Sequence, residues 1–152
     1  MIAIRRASPG DAQRLVPLIH AHAAFEQGAA RCPPADLAQA LSGPSPILLG
    51  WVAEQAGQLV AYATATRDFA TWDCCPYLHL DCLFVIEEAR SSGIGRKLLA
   101  EIVAYARTLS LPRIEWQTPA WNENACRFYR RFGAVSNDKR RFVLAIGDLP
   151  SP

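Results

Sequence analysis

Ile2 and Ile4 alternate with Ala3 and Arg5, the two-residue rhythm of a short strand. Ser8-Pro9-Gly10-Asp11 follows as a helix start, with a capping serine, a proline at the first helical position and an acid in the first turn. Leu15, Leu18, Ile19, His22 and Phe25 recur at helical spacing, and Pro17 is expected to bend that helix. Residues Cys32 to Pro34 break it, a second short helix is predicted from Ala35 to Leu41, and Ser42 to Pro46 closes that. Ile47 to Glu54 and Gln58 to Thr66 are β-rich runs separated by Gln55-Ala56-Gly57, a hairpin spacing. Tyr77 to Ile86 is apolar, too short for a typical helix and rich in β-formers, which predicts a central strand. Asp68 to Pro76, carrying Trp72 and two adjacent cysteines, is predicted as a loop.

Beyond Gly93, the residues Ile94, Leu98, Leu99, Ile102, Val103, Ala106 and Leu109 mark the clearest amphipathic helix, ended by Pro112. Arg113 to Thr118 reads as a strand, Asn122 to Phe132 as a helix stopping at Gly133, and Arg141 to Ile146 as a last strand. No internal repeat or low-complexity tract interrupts this order. Strands alternating with helices imply an α/β fold with a mixed sheet, and 152 residues suit one domain over 1–152.

The composition, 51% hydrophobic and 20% charged, supports a core and excludes a disordered chain. Five cysteines fall short of the ~8–10% of disulfide scaffolds and show neither C-x-x-C nor metal-ligand spacing, so no zinc site is expected and a reduced, cytoplasmic protein is. No apolar run reaches membrane-spanning length and the N-terminus lacks a signal-peptide core, so no membrane association is expected. The net charge of +2 hides an asymmetry: residues 1–89 hold five basic and nine acidic side chains, residues 90–152 eleven and five. The C-terminal part suits an anion and the N-terminal part a cation, unless both are simply solvated charge. Nucleic-acid binding through Arg127, Arg130, Arg131, Lys139, Arg140 and Arg141 is disfavoured by the small net charge.

Arg90-Ser91-Ser92-Gly93-Ile94-Gly95-Arg96-Lys97 lies between a predicted strand and the long helix. Small residues at a helix start, with free N–H groups and two arginines, form an anion site suited to phosphate. A P-loop is excluded because Arg96 and Lys97 follow Gly95 and Leu98 replaces the hydroxyl residue; a dinucleotide fingerprint is excluded because Leu98 stands at the third glycine. A glycine-bearing turn that binds nothing is the remaining alternative.

Arg90, Gly93 and Gly95 match the form [QR]-x-x-G-x-[GA], and Asn122 to Ala134 matches N-x-x-A-x-x-F-Y-x-x-x-G, starting 27 residues after Gly95. The pair, in this order and spacing, resembles the GNAT N-acetyltransferase superfamily. The stretch from Leu80 through Phe84-Val85 to Trp121-Asn122-Glu123 looks most like its spermidine/spermine (diamine) and thialysine N-acetyltransferase branch. Ser91 departs from a frequent glycine, and Asp81 stands where that branch has a glutamate.

The resemblance implies a single GNAT-type α/β domain, with a mixed central sheet of six to seven strands flanked by about four helices. It also implies acetyl-CoA bound between two splayed parallel strands, and a homodimer joined through the last strand or the substrate loops. Leu83, Phe84 and Val85 would bind the pantetheine arm, Arg90, Ser91, Ser92, Gly93, Ile94, Gly95 and Arg96 the diphosphate, and Asn122, Glu123, Asn124 and Ala125 would flank the cofactor. Tyr129 would protonate the departing sulfur and Asp81 would take the amine proton, directly or through water, with His79 the alternative base. Phe25, Glu26, Trp72 and Asp73 would recognise a small cationic or amino-acid-like amine. The expected activity is acetyl transfer to a primary amine; the alternative is a non-catalytic acyl-CoA binding or sensing module on the same fold.

Overall fold

A computed structural model describes residues 1–148. The chain parts into two compact units, residues 1–119 and a second that begins at Ala120.

The first unit carries a sheet of five strands in the order β1-β2-β3-β4-β5 among the described residues. These are β1 (Ile2–Arg6), β2 (Leu49–Gln55), β3 (Gln58–Ala70), β4 (Cys75–Val85) and β5 (Ile114–Glu115). The first four are antiparallel neighbours and β5 is parallel to β4. Three helices, α1 (Ala12–Phe25), α2 (Pro34–Ala40) and α3 (Ile94–Thr108), complete the unit. Helix α1 runs through Pro17 and is preceded by a 3-10 turn, Pro9–Asp11.

Facing follows from strand alternation. Val52, Tyr62 and Phe84 point to one face and form a core with Leu15 of α1 and Leu37 of α2. Trp51, the neighbour of Val52, points to the other face and meets Tyr105 of α3 edge-on at 5.6 Å. Ile94, Leu98, Leu99 and Ile102 are the buried stripe of α3, the helix with the plainest period in the sequence.

Three expectations are corrected. Among the described residues the sheet has five strands rather than six to seven, because residues 141–145 have no regular structure and residues 113–118 contribute only Ile114–Glu115. Phe142, Val143 and Leu144 are exposed: with no neighbouring strand among the described residues, this apolar run has neither ladder nor face to bury. The predicted loop from Asp68 to Pro76 is mostly strand, since β3 reaches Ala70, β4 begins at Cys75, and only residues 71–74 turn. Alternation could not reveal this extension, because the added residues are largely exposed.

The β3–β4 register contains an irregularity that positions the site. Thr64 pairs with Cys82 and Ala65 with Leu80, so Asp81 is one residue too many on β4, a β-bulge. Leu78 and Leu80, opposite Arg67 and Ala65, face α3, whereas Cys82 and Phe84, opposite Thr64 and Tyr62, face α1.

The second unit holds α4 (Glu123–Phe132). Asn122 caps it, its Oδ1 accepting from the Ala125 amide at 3.2 Å, and Gly133 ends it at φ 108°.

Candidate functional site

β4 is paired with β3 along its length, but with β5 only at Leu78 and His79. From Leu80 to Val85 its other edge has no strand partner among the described residues, which leaves main-chain groups for a ligand, apart from the Val85 carbonyl that Arg90 engages. Leu83, Phe84 and Val85 lie on that stretch.

The strand leads through a 3-10 turn, Glu87–Ala89, into the loop before α3. Ser91 has φ 61° and Gly93 φ 80°, so the chain twice enters the left-handed region and turns its amides toward the helix start. Ser92 Oγ donates to the Ala89 carbonyl at 2.5 Å and braces the turn. Gly93 is the N-cap of α3, with no side-chain cap, and the first-turn amides of Ile94 and Gly95 have no intrahelical acceptor. Ile94 is buried and anchors this end of the helix. The loop therefore offers a diphosphate main-chain N–H groups and a helix dipole, which fits the cofactor the resemblance implies.

Arg90 plays a more local part than its sequence position suggests. Its Nε donates to the Val85 carbonyl at 3.0 Å, and its guanidinium lies 4.9 Å from the Phe25 ring centroid and 5.8 Å from that of Phe84. One side chain thus joins the loop, the end of β4 and the end of α1.

Asp81 lies within an otherwise apolar strand, yet its side chain is 60% exposed because the bulge lifts it out of the pleat. Its Oδ1 lies 4.0 Å from His79 Nε2, and its Oδ2 accepts from the Cys82 thiol at 3.7 Å. The two candidate bases are therefore neighbours. Burial, with Asp81 beside it, pushes the Cys82 thiol up to about 11.

The substrate candidates fall into two places. Phe25 and Glu26 stand at the end of α1, Phe25 against Arg90 and Glu26 3.3 Å from His22 Nε2. Trp72 and Asp73 sit on the β3–β4 turn, where Trp72 is 99% exposed and Asp73 pairs with Arg113 at 2.6 Å. At roughly 3.3 Å per residue, β4 separates that turn from Phe84 by about 30 Å. The structure does not bring the two pairs together.

On α4, Glu123 pairs with Arg127 at 3.5 Å and Asn124 accepts from Arg127. Tyr129 is half-buried, its ring 5.1 Å from that of Phe128 and its carbonyl accepting from the Ala134 amide.

Sequence reasoning missed a polar line beneath the site. His22 Nδ1 is 2.9 Å from the Tyr62 hydroxyl, and its ring stacks on Phe84 at 5.0 Å and 19°. Burial raises the Tyr62 hydroxyl far above the ordinary phenol range, with Cys82 adding to the effect. A histidine on the apolar stripe of α1, four residues before a glutamate, was the available signal.

Among the described residues no three His, Cys, Asp or Glu side chains converge as metal ligands, and no helix is long and apolar enough to cross a membrane.

The comparisons agree with this geometry. Thialysine N-epsilon-acetyltransferase of Caenorhabditis elegans is 28% identical over 128 residues, covering 80% of this chain and 76% of that protein. The D-amino-acid N-acetyltransferase HPA3 of Saccharomyces cerevisiae is 28% identical over 85 residues, covering 56% of this chain; the match spans about half of the yeast protein, 52%. An aminoglycoside acetyltransferase from an uncultured soil metagenomic sample, solved with trehalose, superposes with a TM-score of 0.81 at 19% identity, covering 95% and 96% of the two chains, which shows a shared fold. The family model described as "Acetyltransferase (GNAT) family" matches residues 18–134. With the open edge of β4, the twice left-handed loop and the family match together, the chain belongs to the GNAT acetyltransferase family.

Proposed function

We propose that this protein transfers an acetyl group from acetyl-CoA to a primary amine of a small cationic or amino-acid-like substrate by direct attack. The observation that carries the reading is the parting of β4 from β5 after His79, ahead of the loop in which Ser91 and Gly93 turn the amides at the start of α3.

Bound acetyl-CoA supplies an acyl carbon activated by its thioester. The main chain of Leu83, Phe84 and Val85 binds the arm as an added strand would, and the amides of Ser91 to Arg96 hold the diphosphate. Asn122, Glu123, Asn124 and Ala125 flank the cofactor, and Glu26, beside Phe25 at the end of α1, attracts the cationic acceptor. As the C–N bond forms and the C–S bond breaks, Asp81 takes the proton from the amine, directly or through water. The Tyr129 hydroxyl gives its proton to the departing sulfur; a phenol, with a reference pKa of about 10, holds that proton at neutral pH. An acyl-cysteine route is disfavoured, because the Cys82 thiol, pushed up to about 11, stays protonated and is a poor nucleophile.

The protein acts in the cytoplasm, in keeping with five free cysteines. It works as a homodimer, which would cover the exposed Phe142, Val143, Leu144 and Ile146. Light scattering tests the dimer. For the activity, acetyl-CoA titrated by calorimetry and a thiol-release assay with diamines, amino acids and aminoglycosides form the test. Binding with transfer to at least one amine is expected. Binding without transfer leaves only an acyl-CoA sensing module, and the absence of binding refutes both.

A further inference from the structure

One line of side chains runs from the core to the surface at the end of α1. Tyr62 is 1% exposed, His22 has 14% of its side chain exposed, and Glu26 lies at the surface. The hydrogens along this line are determined by what each group can do. A carboxylate only accepts, so His22 Nε2 donates to Glu26 Oε1; in the neutral imidazole Nδ1 is then bare and accepts from the Tyr62 hydroxyl. Stacking on Phe84 sets the plane of the ring. The imidazole is thus held on two sides, and its remaining nitrogen is aimed at Glu26.

We propose that His22 is a positioning residue that holds the Glu26 carboxylate beside the coenzyme-binding part of β4, so that this charge favours amines bearing a second cationic group. The inference rests on the proposed amine acetyltransferase activity. A glutamate free at a helix end loses rotamer freedom when it engages a cation; one already held by a fixed donor has lost it beforehand. Phe84, on which the imidazole stacks, belongs to the open stretch of β4, so the carboxylate is fixed relative to that strand and not merely to its own helix. The Phe25 ring next to Glu26 already has Arg90 4.9 Å from its centroid, which leaves the carboxylate as the attractive group for an incoming ammonium.

The test measures kcat and KM for a diamine and for a monoamine of equal chain length, in the wild type, His22→Leu, His22→Gln, Glu26→Gln and the double variant His22→Leu/Glu26→Gln. His22→Leu is expected to lower the diamine-over-monoamine ratio of kcat/KM about tenfold, through the KM for the diamine. His22→Gln, whose amide can donate to Glu26, restores most of that ratio. Glu26→Gln, a surface change that spares the Tyr62 contact, lowers the ratio by a similar factor, and adding His22→Leu to it lowers the ratio no further. A ratio unchanged in His22→Leu or in Glu26→Gln, or additive losses in the double variant, overturns the role of His22. A wild type that acetylates neither amine fails earlier and differently: it removes the acetyltransferase reading, and this inference with it.

Discussion

Replacing Gly93 by alanine tests whether the loop before α3 holds the cofactor through its shape. A Cβ at Gly93 would meet nothing within 4 Å, so the substitution introduces no clash. Its cost is conformational: at φ 80° an L-residue is disfavoured by about 1–2 kcal/mol. Gly57, on the turn between β2 and β3, is a matched control, with φ 78° and equally open space. If the mutant loop keeps its shape, the strain lowers the melting temperature by about 2–8 °C for a chain of this size. If the loop relaxes, its amides leave their positions and the ligand must restore them, which weakens acetyl-CoA binding by about 5- to 30-fold. Gly57→Ala should show only the thermal effect. Differential scanning calorimetry and titration calorimetry on both variants separate the cases. Wild-type melting and wild-type affinity in Gly93→Ala, or equal affinity losses in the two variants, would refute the reasoning.

Three further outcomes follow from particular contacts. Tyr129→Phe should lower kcat by about 10²- to 10⁴-fold with little change in acetyl-CoA affinity, and an unaltered kcat removes Tyr129 as the acid. Asp11 is buried and accepts from Arg5 at 2.7 and 2.8 Å and from the Ser8 amide at 2.8 Å, contacts that hold its carboxyl well below the usual range, Arg5 foremost. A depressed folded-state pKa adds stability that is complete above the unfolded value of about 4 and is lost as pH falls below it. Asp11→Asn should therefore cost about 2–3 kcal/mol in urea unfolding at pH 7, with the gap to wild type narrowing below pH 4; a gap independent of pH contradicts this. Ala56 sits at φ 48° in the two-residue turn with Gly57, and Ala56→Asn should raise stability by about 0.5–1 kcal/mol, with a loss counting against a strained turn.

What could be read from the chain divides by how far each signal reaches. Arg90 to Gly95 and helix α3 were legible because residues close in sequence carry both the turn chemistry and the helical period. The strand that carries Asp81 was legible from its apolar run, but the bulge that exposes Asp81 is a property of the β3–β4 register and leaves no mark in either strand alone. The contact of His22 with Tyr62 spans 40 residues and was equally hidden. Phe142 to Leu144 misled in the opposite way: their apolar character satisfies a strand rule, while strand formation requires a neighbour that this segment lacks among the described residues.

Asp81 owes its place to being supernumerary, and this ties chemistry to backbone length. Excising it would leave Leu80 opposite Ala65 and Cys82 opposite Thr64, now in even pleating, with every later side chain of the strand on the face it already takes. The sheet can therefore shed one codon at this point and keep its core, even where the missing carboxylate abolishes turnover.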